Sequence, residues 1–469
     1  MYVLILAMAV PARSQQANVS YSLEDLLSLA EKGSARAEQY RVGQKIAAVQ
    51  YNLFRRANLP LILFSGNVPM YNKDNFAVIQ PNGTQVFRRR SQSNSDASFS
   101  VEQAFPQTNA TISLNTYLNR FDDYYAKSKS YNSTLVYIQL NQPIFSFNKY
   151  KWDRRIEPLR YKESQLLAAT ASYELSSLVC GYYYDVIEAE ADLQLASTNL
   201  SYATANKATE QRKKELGAST EDKLLQLQMM ELEAAAGVKE AQSRVATTKS
   251  GLKNFLGMQD ADLSLRAPLP GSTPSVSLQD LMSSAKRTHP LFLSAGRALL
   301  EAQSITDQAR ADGREINIVG SFGLTNTGGN LSALLANPND QQRFRIGLQI
   351  PIYDGGRHRQ KLLIAQENER LVAARTREDV LLLVNDITDI YNEYSYIIGN
   401  IDKFRLMDSL GQQRFSISNR LFSAGKISVT EVQTAQREKD SARRNYLRMI
   451  RRLAELKYAI RAKAGMPIE

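Results

Sequence analysis

Two long stretches of this chain carry apolar residues at helical spacing, and each follows a stretch in which they alternate. Between Pro158 and Pro268, Leu175, Leu178, Tyr182, Val186, Ala189, Leu193, Ala196 and Leu200 step by three or four positions. That is the stripe of an amphipathic helix. Between Pro351 and Pro467, Leu371, Val380, Leu383, Ile387 and Ile390 repeat it, continuing past Tyr394 and Ile397 towards Leu421. Neither window contains a proline, which would remove a helical donor and clash with the preceding turn. Each has one break, Leu216-Gly217-Ala218-Ser219-Thr220 and Ala424-Gly425-Lys426-Ile427-Ser428. Glycine there suits a helix C-terminus, and the hydroxyl residue after it suits the next N-cap. The spacing predicts two helical hairpins, with long arms over Glu157–Leu216 and Arg357–Ala424 and return helices over Ser219–Leu256 and Ser428–Ala464. Arms of this length would run roughly 90–100 Å at 1.5 Å per residue, too long for a compact domain.

The segments before each window alternate with period two. Phe344, Ile346, Leu348 and Ile350 are separated by Arg343, Arg345, Gly347 and Gln349. Ile316, Ile318, Phe322 and Leu324 alternate against Asn317, Ser321 and Thr325, and Ala110, Ile112, Leu114 and Leu118 against Thr111, Ser113, Asn115 and Asn119. Val136, Ile138 and Leu140 form a fourth such segment. These are strands with one apolar and one polar face. They suit a barrel wall between lipid and water. The competing reading is an antiparallel sheet with one face on a protein core, but nothing else in the unit supplies that core. Tyr150, Trp152 and Tyr353, at strand ends, fit an interfacial aromatic belt.

The resulting order occurs twice. SLEDLL at Ser22–Leu27 returns as SLQDLM at Ser277–Met282, 255 positions on. LNQPIF at Leu140–Phe145 returns as LQIPIY at Leu348–Tyr353, and Arg212…Gly217 as Arg420…Gly425, both 208 positions on. The chain reads as an internal duplication, each half a unit that need not bury its apolar face alone. The 47 additional residues fall in the first half's strand region, where Asn82-Gly83 and the polar run Ser91–Asp96 predict a large exposed loop. The expected organisation is a first repeat over 15–267 and a second over 268–469. The first holds a helix, strands within 59–142 and a hairpin over 157–257; the second holds a helix over 277–313, strands within 315–351 and a hairpin over 357–464. The N-terminal helix (Leu23–Ala57) would pair with the C-terminal one. The fold class is mainly α with a β segment.

Composition narrows this further. Tyr2–Val10 is a short apolar run and Ala12-Arg13-Ser14 resembles a cleavage site, so residues 1–14 read as a secretory signal. The basic residues that ordinarily precede such a run are missing, as in a truncated start. Cys180 is the only cysteine, which excludes an intrachain disulfide and any multi-thiolate metal site. The net charge of +11 is spread among acids along helices and marks solvated faces rather than a nucleic-acid groove.

Together these features resemble the TolC family of outer-membrane efflux and secretion channels. The likeness rests on the duplicated helix–strand–strand–helix–turn–helix order, the QPIF and IPIYDGG strand-to-helix junctions, the glycine turns, and above all Asn141–Tyr161. The resemblance implies a homotrimer in which each chain gives four strands to one barrel in outer-membrane lipid, while the helices form a periplasmic α-barrel. It implies that Leu216, Gly217, Ala218, Ser219, Ala424, Gly425, Lys426 and Ile427 form tips where a periplasmic adaptor docks and links the channel to an inner-membrane pump. It places an entrance constriction near Glu431 and Thr434, matched in the first half by Asp222 and Lys223, a departure from a purely acidic ring. The implied function is passive exit in a tripartite efflux pump or type I secretion system. The rivals are a coiled-coil scaffold that uses its strands only for assembly and a nucleic-acid-bridging helical protein.

No enzyme chemistry is legible. His289 precedes Pro290 and His358 lies in a basic run, neither with metal-ligand spacing, so both are expected on the solvated surface. Asp354-Gly355-Gly356-Arg357 lacks the lysine of a phosphate loop and reads as a strand-to-helix bend. No nucleophile–base arrangement is present, and no cofactor, metal or nucleic acid is expected.

Overall fold

The computed structural model describes residues 20–258, 263–267, 275–312, 315–349 and 351–466. The signal segment and the Pro268–Gly271 linker lie outside them. In chain order the elements are β1 (Ser20–Tyr21), α1 (Leu23–Gly33), α2 (Ala35–Arg56), β2 (Leu61–Ile79), β3 (Gln85–Phe105), β4 (Ala110–Asp123), β5 (Ser128–Ile144), α3 (Lys149–Glu215) and α4 (Glu221–Leu256). There follow β6 (Ser264–Leu265), α5 (Leu278–Thr288), α6 (Pro290–Ala311), β7 (Glu315–Gly328), α7 (Leu331–Leu335), β8 (Asn339–Gln349), α8 (Arg357–Ser423) and α9 (Val429–Ala464).

The duplication survives in element lengths. α3 and α8 each have 67 residues, and α4 and α9 each have 36. The expected single N-terminal helix of each half is two helices of 11 and 22 residues, α1–α2 and α5–α6. Ser34 and His289 occupy the breaks, both extended, and each donates its amide to the helix just ended. The long arm α3 also starts earlier than expected and takes Pro158 into its third turn, where it offers no amide to the Arg154 carbonyl.

The chain forms two compact units that cut across the repeats. One comprises the chain up to Lys45, Ser164–Phe292 and Val380 onward; the other comprises Ile46–Glu163 and Leu293–Asp379. The first is helical, apart from the short parallel pair β1–β6. It holds two apolar clusters that are copies of one packing solution. Leu26, Ala30, Leu175, Val179, Val186 and Leu252 make the first; Leu281, Ala285, Leu383, Ile387, Tyr394 and Ile460 make the second. Each residue named in the first has its counterpart in the second, 255 or 208 positions on. The buried stripe of α3 passes through Val179, Cys180 and Tyr183, so Leu178 lies exposed at its edge, as Leu371 does on α8. Helices this long meet different neighbours along their length, and a single helical stripe cannot follow them.

The second unit holds one antiparallel sheet in the order β2-β3-β4-β5-β7-β8. The four expected strands are β4, β5, β7 and β8. The expected first-half loop is instead a β-hairpin, β2–β3, with Ser91–Asp96 inside β3 and paired on both sides, apart from Ser91, which pairs with β2 alone, and Ser95, which faces a bulge in β2 and pairs with β4 alone. Its turn is at Asn82-Gly83, where Gly83 takes a φ of +78°. Register carries each residue's face across the sheet. Phe322, Ile138, Leu114, Val101 and Ile62 stand in one row, and Ser321, Gln139, Ser113 and Glu102 in a neighbouring row on the other face. The apolar face is open: Phe344 is 73% exposed, Ile346 61% and Leu348 64%. Beside the sheet, α3, α6 and α8 are joined by Arg297, which contacts Glu163 at 2.5 Å and Glu301 at 2.7 Å, and by Thr306, which donates to Glu369 at 2.9 Å.

A large open apolar face in water is a liability, and hydrocarbon would relieve it. Ile346→Arg should therefore cost about 2–4 kcal/mol of membrane insertion if this face meets the lipid midplane. Arg345→Gln, one residue away on the polar face, should cost little. Recovery of each variant in the membrane fraction checks this; equal recovery would remove the distinction between the faces.

Candidate functional site

The two hairpin turns are built alike from their sequences. After α3, Gly217 takes a φ of +74°, its amide donates to Lys214 O at 2.9 Å and the Ala218 amide to Lys213 O at 2.8 Å. After α8, Gly425 has a φ of +76°, donating to Phe422 O at 2.8 Å, and Lys426 to Leu421 O at 2.9 Å. Both are Schellman ends, in which a left-handed residue lets two amides satisfy the last helical carbonyls. Leu216, Gly217, Ala218, Ala424, Gly425 and Lys426 are exposed, while Ser219 and Ile427 are half-buried. Leu216 is 83% exposed, an apolar side chain without cover at the end of the hairpin.

The return helices start differently. Thr220 caps α4 by accepting from the Lys223 amide at 3.4 Å. Ser428 caps α9 by accepting from the Glu431 amide at 3.2 Å, and Glu431 Oε2 reaches back to the Ser428 amide at 2.7 Å and its hydroxyl at 2.9 Å. This is a reciprocal capping box. Glu431, expected at an entrance constriction, is exposed, but its carboxylate is turned into this cap. The Ser428 amide, and then the Ser428 hydroxyl, hold its carboxyl below the ordinary glutamate value. Asp222, Lys223 and Thr434 are exposed, with Thr434 donating to the Thr430 carbonyl at 2.9 Å.

Several contacts near the turns were not anticipated. Lys214 and Glu221 form an ion pair across the first turn, and Ser219 donates to buried Glu210 at 2.5 Å. The capping box was legible as S-x-x-E from Ser428 to Glu431; the ion pair has no comparable short signature. The hairpins pack on each other through Leu227, Phe415, Phe422, Val429 and Val432, with an Asn206–Asn419 hydrogen bond of 3.0 Å alongside. Further along, Lys439 lies 4.4 Å from the Phe415 ring centre and donates to Asn199 at 2.9 Å.

Of the three aromatics expected at a membrane interface, Tyr353 is 90% exposed. Tyr150 is half-buried and stacks on Phe54 at 5.9 Å. Trp152 is a correction: it is buried, with the Arg155 guanidinium 5.1 Å from its ring centre, because the first turn of α3 directs it inward. His289 is likewise half-buried rather than solvated, its Nδ1 accepting from the Leu291 amide at 3.2 Å. Burial, with Lys463 nearby, lowers its pKa. Asp354 Oδ1 accepts from the Gly356 amide at 2.8 Å, and Gly355 and Gly356 both have positive φ, so the DGG segment is a bend into α8. Among the described residues no group of three or more His, Cys, Asp or Glu side chains could hold a metal ion. Nor, among them, is any helix long and apolar enough to cross a membrane.

The chain matches the sequence model of the outer membrane efflux protein family over residues 87–258 and 281–465. No curated protein matches it. Its fold is similar to that of a membrane protein from Pseudomonas aeruginosa, with a TM-score of 0.69, 16% identity, and 95% of this chain and 90% of that one covered. It is also similar to the outer membrane protein VceC from Vibrio cholerae, at TM-score 0.68 and 12% identity over 95% and 97% of the two chains. The CmeC outer membrane channel of Campylobacter jejuni gives 0.67 and 14% over 99% and 93%. With both halves matched, this chain belongs to the outer membrane efflux protein family, the TolC-type channels of the outer membrane that extend into the periplasm.

Proposed function

We propose that the protein is the homotrimeric outer-membrane duct of a tripartite efflux pump or type I secretion system. Cargo would leave passively, delivered by an inner-membrane pump through a periplasmic adaptor. The observation that carries this reading is the two-faced sheet: apolar side chains open on one side, and Arg343, Arg345, Ser321 and Gln139 on the other, as a wall between lipid and a wet lumen requires. A scaffold that used its strands only for assembly gives no reason for the open apolar face.

The hairpin turns are the proposed adaptor contacts. They present a small rigid surface, Leu216 to Ser219 and Ala424 to Ile427, set by backbone rather than by long side chains. Glu431, Asp222, Lys223 and Thr434 are the proposed entrance residues. Opening would separate the two hairpins at the Leu227–Phe422–Val432 cluster and the Asn206–Asn419 bond.

Valine at Gly217 or Gly425 should strain the turn by about 1–2 kcal/mol, because a β-branched residue resists the left-handed backbone. Efflux in cells, read as dye retention, should fall several-fold while trimers remain intact; asparagine, which tolerates that backbone better, should restore most of it. Unchanged efflux in both valine variants would exclude these turns as docking tips.

The capping box predicts an acid response. A carboxyl held below its ordinary pKa stabilises the fold fully above the glutamate range, near about 4.3. That contribution is lost as pH falls through the lower folded value. Amide protection in the first turn of α9 should therefore drop in acid in the native protein and stay flat in Glu431→Gln. Ser428→Ala should weaken that turn by about 1 kcal/mol at every pH. Equal acid responses in native protein and Glu431→Gln would contradict the role given to this carboxylate.

A further inference from the structure

The open face of the sheet changes character past its apolar positions. β3 pairs with β4 without a bulge, so Val101 and Phe99 share a face with Ser93, and that face continues along β3 to Ser91 and Arg89. Cross-strand partners stand on it too. Tyr71 and Lys73 lie opposite Ser93 and Ser91, Arg120 opposite Ser95, and Tyr131 and Lys129 opposite Arg120 and Asp122. Lys73, Arg89, Arg120 and Lys129 are all exposed, and Tyr71 is 56% exposed. Together they make a basic rim with tyrosines in it.

The height of the rim fits the edge of a hydrocarbon layer. On β4 the open face runs through Ala110, Ile112, Leu114, Thr116 and Leu118 before it reaches Arg120. Arg120 comes ten positions after Ala110, roughly 34 Å along a strand. At a tilt of about 40° that is roughly 26 Å of membrane, against about 25 Å for the apolar band of a barrel. α2, α3, α6 and α8 all join the sheet at its other end. In a channel whose helices extend into the periplasm, the rim therefore lies at the outer leaflet.

The sign of the charge separates the two faces of these strands. At the level of the rim the polar face carries both signs, Arg88 and Arg90 with Asp74 and Asp123, and Arg90 pairs with Asp74 at 2.7 Å. On the open face Asp122 is the one acid of β2–β5 among the described residues, and it is buried. Arg120 takes up both its oxygens, with Nε 2.8 Å from Oδ2 and Nη2 donating to Oδ1 at 2.9 Å. That leaves three of the five guanidinium N–H donors for another acceptor. Lys73, Arg89 and Lys129 form no ion pair among the described residues. A surface that only needs hydration mixes both signs. Four cations over one spent carboxylate call for an anion.

We propose that this rim binds the phosphate groups of outer-leaflet lipid, whose acyl chains lie on the apolar positions below it. Arg120, fixed by Asp122, offers a planar fork to phosphate oxygens, and Lys73, Arg89 and Lys129 add charge on the neighbouring strands. Tyr71 and Tyr131 suit the same depth, since the amphipathic tyrosine ring belongs at headgroup level. This rests on the channel reading above and names a lipid partner for it.

The test uses trimers in phosphatidylcholine vesicles with a trace of lipid spin-labelled on its acyl chain, which reports the share of label immobilised at the protein surface. Labelled phosphatidic acid, which carries a phosphate monoester, should be favoured several-fold over labelled phosphatidylcholine. Lys73→Gln, Arg89→Gln and Lys129→Gln together should remove most of that preference, while Lys73→Arg with Lys129→Arg keeps it. Arg88→Gln, Arg343→Gln and Arg345→Gln together take the same charge from the polar face and should leave the preference intact. Equal immobilisation of both labels by the native protein overturns the rim. So does a native preference in the first triple variant, or an equal loss in the polar-face variant. Native protein that immobilises neither label would instead overturn the channel reading, which separates the two failures.

Discussion

A peptide group in hydrocarbon has no water to bond, and that constraint governs this molecule. Strands are admissible there only when both edges are paired. The six-stranded sheet meets the requirement internally along five seams and leaves it unmet at two edges. The apolar face of the wall fits the same setting, because Phe344, Ile346 and Leu348 have no protein core over them and are open to a lipid phase. Their exposure would be a defect in a water-soluble domain. In a barrel wall it is the ordinary state.

The helical unit solves a different problem with repeated parts. A helix of 67 residues cannot find one compact core, so burial is distributed in patches along it. Two patches, one on each long arm, are duplicates, with Leu26 and Leu175 answered by Leu281 and Leu383. Near the turns a third patch, Leu227 with Phe415, Phe422 and Val432, brings the two hairpins together. It is smaller, and it is bordered by polar contacts such as Asn206–Asn419. Polar contacts of that kind can separate and rehydrate at modest cost, which suits the opening proposed for this region.

Much of this was legible in the sequence where a local rule applied without competition. Prolines bounded the second hairpin and the end of the first, whose long arm takes in Pro158, and Gly217 and Gly425 marked the turns to within a residue or two, because a left-handed cap has few alternatives to glycine. Alternation located β4, β5, β7 and β8. It failed for β2–β3, whose Ser91–Asp96 segment is polar on both faces, and whose Leu61 and Leu63 place apolar groups on the otherwise polar one. Trp152 was misplaced because an aromatic at a strand-to-helix junction reads the same whether it points to lipid or into the chain. The role of Glu431 in its cap was available as a four-residue signature. The pairing of Lys214 with Glu221 depends on how the chain reverses, which spacing alone does not give.

The most direct test of the central claim is the environment of each side chain along a single strand. Spin labels placed one at a time from Arg343 to Leu348, in the trimer reconstituted in lipid, report access to membrane-soluble oxygen and to a water-soluble nickel complex. The account predicts a period of two, with oxygen favoured at positions 344, 346 and 348 and nickel at 343, 345 and 347. Uniform access to the nickel complex along the strand would contradict it.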